Sequence, residues 1–434
     1  MLDELIFIQM RDSLIILFFF CCIYFLIYKK HICSFFDPLT FFVFNLSTAS
    51  VLIIKEGITS DVANILQFFL FQIFFWFGFS RIKVNFDKPA KIDFSKVDIA
   101  LMEYVTFTLF LIYLVANLYF FAIMGAPIFT DDPTLAKIES YRGGLGFVRR
   151  INWGVANFIS CSAIVLSLVG EYKKLFLSIL LIQIIFSATS GSKGGTLLSF
   201  IFLITLIANR NDFRIMPQIS IYKKLIKYLF ASALLIGTTV LFITTGDITL
   251  SLFGMYHRAM MAGDAVIYYY RPDIFESFSS YGLWDFIYHE VNPILGFFKL
   301  AEYESPLGKV LVERYLASIS AQELASDFGP NAPFYVEGHI YFGTIAGLGY
   351  SFILGYAVSY VRRQYFNATN IGIVPFIFLL NLTSLVLTAP QDTTFFITQC
   401  MDSMLLTILV YLFYSMTFST FIRNKTKMLT KQLN

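Results

Sequence analysis

Residues that can act as acids, bases or phosphate ligands are concentrated in residues 246–337, a polar and aromatic-rich segment between apolar runs. A carboxylate or an imidazole can accept a proton from a substrate hydroxyl, and an arginine can hold a phosphate through its planar N–H donors. Long connecting segments rich in such groups commonly carry function. The segment therefore predicts a transfer reaction on an anionic substrate. Its ionisable candidates are His257, Arg258, Asp264, Arg271, His289, Arg314 and Glu337.

Three of these residues, and one residue close to them in sequence, are candidates for catalysis: His257, Asp264, Glu337 and His339. His257 and Asp264 are seven positions apart, so a continuous helix would place both on one face. The alternative for this pair is a membrane-proximal helix with a polar outer face. Glu337 and His339 stand at the start of an apolar run, where ionisable groups are costly unless they are paired or used. We expect catalytic roles for all four residues, with Glu337 preferred as the general base.

Two shorter motifs add positive charge. The turn Ser190–Gly195 holds Lys193 among glycines and precedes a helix, so backbone N–H groups and a helix N-terminus would favour an anion there. The alternative is a tight turn whose lysine extends to the membrane surface. Arg142 precedes two glycines in residues 125–150, where the backbone can approach a phosphate closely. The predicted phosphate-binding residues are Arg142, Lys193, Arg258 and Arg271.

Membrane helices must position these residues. The chain is 57% hydrophobic and 14% charged, with a mean hydropathy of +0.70, whereas a soluble domain carries about 25% charged residues. Its apolar runs have the length of roughly 20 residues that crosses a bilayer. We predict an all-α polytopic membrane protein with about eleven transmembrane helices. The predicted spans are 13–28, 35–54, 62–79, 99–124, 151–169, 174–190, 194–209, 225–245, 338–361, 371–388 and 403–421.

The same pattern predicts the organisation and orientation of the chain. Most basic residues, including those at 81–96, 210–227 and 362–363, fall on one side of the predicted spans, which makes that side cytoplasmic. Segments 125–150 and 246–337 then face outward. The longer one is expected to be partly helical, with an apolar stretch at 284–298 and an amphipathic helix at 307–324. The predicted divisions are 1–124, 125–150, 151–245, 246–337 and 338–434.

Several other chemistries are disfavoured by the sequence. It contains no HExxH, GxSxG, Walker A or GxGxxG motif. Its five cysteines are not spaced as a disulfide framework or zinc site, and no basic run is dense enough to indicate nucleic acid. Titratable groups near the middle of the predicted spans are scarce, which argues against an ion-coupled transporter. No metal or other cofactor is expected.

Three segments resemble motifs of Wzy-type oligosaccharide repeat-unit polymerases, also called O-antigen polymerases. Ser187–Thr196 resembles the Gly-Ser-Arg-Gly turn of that family, with Lys193 in place of the more common arginine. Arg271–Gly282 is similar to an Arg-x10-Gly pattern of its outer loops. Pro333–Gly355 resembles a late stretch that has an acidic residue, Tyr-Phe-Gly and a glycine-rich helix.

The resemblance implies a membrane glycosyltransferase of GT-C-like architecture in the bacterial inner membrane, with its active site facing the periplasm. Such an enzyme moves a growing glycan from undecaprenyl pyrophosphate to a new lipid-linked repeat unit without a metal. The four basic residues would bind the pyrophosphate. Partners would be the lipid-linked glycans, membrane lipid, a chain-length regulator and a flippase. An O-antigen ligase and a lipid-linked oligosaccharide flippase or transporter are the alternatives.

Overall fold

A computed structural model of the protein describes residues 10–57, 62–87, 91–130, 145–190, 195–271, 274, 277–278, 281–320 and 329–433, without the side chains of 244, 319–320 and 418–433. Within these residues the chain is almost entirely helical. In chain order the helices are α1 Met10–Tyr28, α2 Pro38–Gly57, α3 Val62–Ser80, α4 Lys96–Met124, α5 Gly146–Val169, α6 Lys173–Thr189, α7 Gly195–Asn209, α8 Asn211–Arg214, α9 Ile219–Thr245, α10 Ile248–Met260, α11 Ala265–Tyr269, α12 Leu283–Phe297, α13 Leu307–Ser320, α14 Phe334–Asn367, α15 Ile373–Leu385 and α16 Thr393–Leu433. Short 3₁₀ turns occupy Lys29–His31, Pro127–Phe129, Met261–Gly263 and Val386–Thr388, and strands β1 Lys91–Asp93 and β2 Thr369–Gly372 pair in parallel.

The all-α membrane character expected from the composition is confirmed. Among the described residues, eight helices are long enough and apolar enough to cross a membrane: α1, α2, α3, α4, α5, α9, α14 and α16. Each of the eleven predicted spans coincides with a helix, but α6, α7 and α15 are shorter than the other eight. The count of eleven crossings therefore stays a prediction.

The chain forms two compact units, neither of which is continuous in sequence. The first contains Met1–Phe86, Thr249–Asn367 and Thr383–Thr398. The second contains Asp87–Ile248, Ala368–Leu382 and Gln399–Asn434. The long polar segment thus folds with the first three helices and with α14, and it is itself partly helical through α10 to α13.

Helices α3 and α14 of the first unit pack very closely. A Cβ atom added to Gly78 would lie 1.9 Å from the carbonyl oxygen of Phe352, and one added to Gly355 would lie 2.1 Å from that of Phe75. Backbones can approach this closely only where side chains are absent, as at small-residue contacts between membrane helices. Gly78 and Gly355 therefore set the distance between the two helices.

A buried ion pair joins α14 to the start of α2. Arg362 donates to both carboxylate oxygens of Asp37, at 3.0 and 2.7 Å, and to the carbonyl oxygen of His31 at 3.0 Å. Neither side chain of the pair is exposed. In the second unit the fully buried Arg210 pairs with Asp212 at 3.0 Å. Both arginines are among the basic residues from which the orientation of the chain is predicted. Two of those positive charges are therefore paired with carboxylates inside the protein.

Polar contacts also join helices of the second unit. Asn117 of α4 and Asn152 of α5 form two reciprocal amide hydrogen bonds of 2.9 and 3.2 Å. Arg150 of α5 lies 3.2 Å from Asp402 of α16. A buried amide or charge is costly in an apolar environment unless it is paired. These contacts therefore specify which helix faces meet.

Candidate functional site

The continuous helix expected to carry His257 and Asp264 is interrupted. Helix α10 ends at Met260, the turn Met261–Gly263 follows, and Asp264 comes before α11. The interruption coincides with a close contact, since a Cβ added to Gly263 would lie 2.5 Å from the backbone of Ala49. The two residues therefore do not belong to one continuous α-helix, and their sharing one face stays a prediction. Asp264 is partly enclosed, and burial raises the pKa of its carboxyl group to about 7.

A break at Gly343 bends α14 and creates the centre of the site. Gly343 has φ +64° and ψ −169°, a conformation that is essentially restricted to glycine. In a straight helix, Glu337 and Tyr350 would be about 20 Å apart along the axis at 1.5 Å per residue. Instead, the Tyr350 hydroxyl donates a hydrogen bond to Oε2 of Glu337. Gly347 packs against the carbonyl oxygen of Gly338, so the segments on either side of the break face each other.

Glu337 is buried among hydroxyl groups. Besides Tyr350, the hydroxyl of Thr393 at the start of α16 donates to Glu337 Oε2 at 2.7 Å. The Tyr350 and Thr393 oxygens are themselves 2.8 Å apart. The carboxylate predicted as the base thus already accepts two hydrogen bonds on one oxygen. These contacts fix its position.

A second carboxyl group, that of Glu290 in α12, is buried beside Glu337 and interacts with it electrostatically. Thr394 donates to Glu290 Oε1 at 2.9 Å. Its Oε2 is also buried, and no N–H or hydroxyl group of the described residues donates to it. Burial raises the pKa of Glu290, because the charged form is disfavoured away from water. Two neighbouring buried carboxyl groups share protons as a pair.

Asp392 adds a third acidic group close by. Its Oδ1 accepts the backbone N–H of Phe395 at 2.7 Å, as an N-cap residue does at the first turn of a helix. Burial raises the pKa of Asp392 to about 6, and the carboxyl interacts electrostatically with Glu290 and Glu337. No group of three or more metal-binding side chains occurs among the described residues. Each of the three carboxyl groups accepts at least one hydrogen bond.

Two histidines lie close in sequence to the carboxyl groups of this centre, His289 beside Glu290 and His339 two residues after Glu337. His289 Nδ1 lies 2.7 Å from the Tyr341 hydroxyl, and its Nε2 lies 3.1 Å from Glu304 Oε2. His339 Nδ1 lies 2.6 Å from the Tyr269 hydroxyl. Each imidazole has a hydroxyl at one nitrogen, which fixes the orientation of its ring. His257 lies in α10, where its ring centroid is 6.3 Å from that of Phe253.

The predicted cationic residues are only partly described. Arg271 lies over the ring of Tyr315 at 5.0 Å from its centroid, and Arg258 is exposed near the end of α10. Within the described part of the chain, neither forms an ion pair with a carboxylate. Arg142 and Lys193 lie outside the described residues. Arg314, by contrast, donates to Ser277 and packs over a phenylalanine ring, so it stabilises the fold of the segment.

Sequence reasoning missed most of the partners of Glu337. Glu290 was detectable as an acidic residue in a mainly apolar helix, since an uncompensated charge there is costly. Asp392 was detectable as a cap before an apolar run. Nothing in the sequence pointed to Tyr350, because it reaches Glu337 only through the break at Gly343.

Comparisons of the chain with protein-family models, with curated proteins and with solved structures found no match.

Proposed function

We propose that this protein is a membrane glycosyltransferase that polymerises undecaprenyl-pyrophosphate-linked oligosaccharide repeat units at the periplasmic face of a bacterial inner membrane. The observation that carries the proposal is the buried pair of Glu290 and Glu337. The pair lies where α14 and α16, two helices able to cross a membrane, begin. Lipid-linked substrates present their sugars at such a boundary.

Glu290 is the better candidate for the general base. One oxygen of Glu337 accepts two hydroxyl donors, whereas Glu290 Oε2 has no N–H or hydroxyl donor among the described residues. A base is most effective when its pKa lies near the working pH, and burial moves the pKa of Glu290 in that direction. The neighbouring carboxyl group of Glu337 is then held in place by hydrogen bonds from Tyr350 and Thr393.

The proposed reaction balances without a metal or other cofactor. Glu290 takes the proton of the acceptor hydroxyl while that oxygen forms a bond to the anomeric carbon of the donor glycan. The bond from this carbon to undecaprenyl pyrophosphate breaks, and its electron pair leaves with the pyrophosphate. Positive charge stabilises the leaving group, and no carboxylate among the described residues forms an ion pair with Arg258 or Arg271. Arg142 and Lys193 lie outside the described residues and stay predictions from the sequence.

The test is deletion of the gene in the source bacterium, followed by complementation and gel analysis of the surface polysaccharide. A polymerase predicts that the deletion strain carries single repeat units and that Glu290→Gln and Glu337→Gln do not restore long chains. Glu313→Gln, a change to a partly exposed glutamate of α13, is the matched control and should restore them. Polymer retained on the lipid carrier would indicate a ligase, and repeat units trapped in the cytoplasm would indicate a flippase. Long chains with Glu290→Gln at normal protein level would reject the assigned base.

A further inference from the structure

Helix α12 has an exposed apolar face outside the eight candidate membrane spans. At 100° per residue, the five residues that form this face fall within an arc of about 140° around the helix. Their exposed fractions range from 37% to 78%, with the tryptophan highest. Such a concentration of exposed large apolar groups on one helix marks an interaction surface. The face consists of Leu283, Trp284, Ile287, Tyr288 and Val291.

The buried side of α12 is attached to the ends of two candidate membrane spans. Glu290 accepts a hydrogen bond from Thr394, in the first turn of α16. The ring of Phe286 packs against Phe342 and Tyr350 of α14, with centroids 5.0 and 5.7 Å away. The helix is therefore held at the level where those spans begin. A membrane that contains α14 and α16 would have its surface close to α12.

The composition of α12 matches that location. The helix has no lysine or arginine, and its acidic residue outside the buried side is Asp285. Asp285 lies beyond the apolar arc, and its Oδ2 accepts the backbone N–H of Gly282 at 2.8 Å, which caps the helix. Tryptophan and tyrosine are enriched at membrane–water interfaces because their rings have apolar and polar parts. The face thus offers apolar and aromatic groups without an interrupting charge.

We propose that α12 lies in the membrane interface, with the face formed by Leu283, Trp284, Ile287, Tyr288 and Val291 in contact with lipid. The occupant of this face is the boundary between headgroups and acyl chains of the bilayer that α14 and α16 cross. Amphipathic helices lie in this region with the apolar face inserted by about 5–10 Å. Trp284 then contacts lipid, whether or not the protein is a glycosyltransferase.

The experiment uses the full chain in phosphatidylcholine vesicles with Trp284 as the probe. Trp76→Phe and Trp153→Phe together leave Trp284 as the remaining tryptophan. Bromine attached to the acyl chain near the glycerol should quench roughly half or more of its emission, and bromine at the chain end should quench less, because the insertion is shallow. Aqueous iodide should quench little. The positive control for lipid contact is Phe77→Trp in a protein whose three native tryptophans are phenylalanine, since Phe77 is exposed on candidate span α3.

A charge placed in the face tests the assignment independently. Ile287→Glu should reduce quenching by brominated lipid at least about twofold and increase quenching by iodide, because a carboxylate is expelled from the interface. Ile215→Glu is the matched control, since Ile215 is exposed and lies outside α12, and it should leave Trp284 unchanged. In the protein that keeps Ile287, strong quenching by iodide without quenching by brominated lipid would show that the face contacts water. Protection from both quenchers would show that protein covers it. Either result overturns the proposal.

Discussion

Replacing Gly343 with alanine isolates the backbone conformation that assembles the acidic centre. A Cβ at this position would meet no atom within 4 Å, so the substitution introduces no steric overlap with a neighbour. Its cost comes from φ +64° and ψ −169°, a region that costs a side-chain-bearing residue about 1–3 kcal/mol. At about 1.4 kcal/mol per tenfold, this cost lowers the equilibrium constant for forming the broken helix by a factor of roughly 5–150.

The matched control is Gly349→Ala in the same helix. Gly349 also has no atom within 4 Å of an added Cβ, but its φ is not positive. Alanine there should be neutral or stabilising by about 0.4–1 kcal/mol. The two variants therefore make the same chemical change in equal space, and they differ in backbone conformation.

The measurement is thermal unfolding of each purified protein in one detergent, followed by complementation of a deletion strain. Gly343→Ala should unfold a few degrees below the wild type, since 1 kcal/mol shifts Tm by about 2–4 °C in domains of 150–250 residues. It should also shorten polysaccharide chains, because Tyr350 reaches Glu337 through this break. If Gly343→Ala were as stable as Gly349→Ala, the break would not depend on glycine and the reasoning would be refuted.

Three further outcomes are expected. Because the pKa of Asp264 is about 7 in the folded protein against an ordinary value of 3.8, the folded state binds its proton more tightly, and stability should fall as pH rises from about 4 to about 7. When Tm is measured over this pH range, Asp264→Asn should reduce its change with pH. The same slope in the wild type and in Asp264→Asn would contradict the role of this carboxyl group. Arg362→Met should lower the free energy of unfolding by about 3–5 kcal/mol, because it leaves Asp37 buried and unpaired. The double variant with Asp37→Leu should recover much of this loss. A double variant no more stable than Arg362→Met alone would argue against the unpaired charge as the cause. Arg258→Ala should leave Tm within about 1 °C of the wild type because its side chain is exposed, yet shorten polymer chains, and full-length chains would remove it from the phosphate-binding set.

The local elements were predictable because each depends on near neighbours in sequence. Runs of apolar residues predicted eleven spans, and a helix occurs at each of them; helical spacing also predicted the helix within 307–324. The positions of Glu337 and His339 near the start of a membrane helix were also predictable. The continuous α-helix expected through His257 and Asp264 ends at Met260, and Gly263 in the following turn packs against Ala49, which is distant in sequence.

By itself, the sequence determined that the chain is an all-α membrane protein, because the length and hydropathy of each run suffice for that inference. It also located Glu337 through the cost of a charge beside an apolar run. Only the tertiary structure decided what surrounds Glu337. Its partners come from α12, from beyond a break in its own helix, and from the start of α16, and none shares a periodic pattern with it. Side chains brought together by packing of distant segments leave no signal in sequence spacing, and the pairing of Glu290 with Glu337 is such a case.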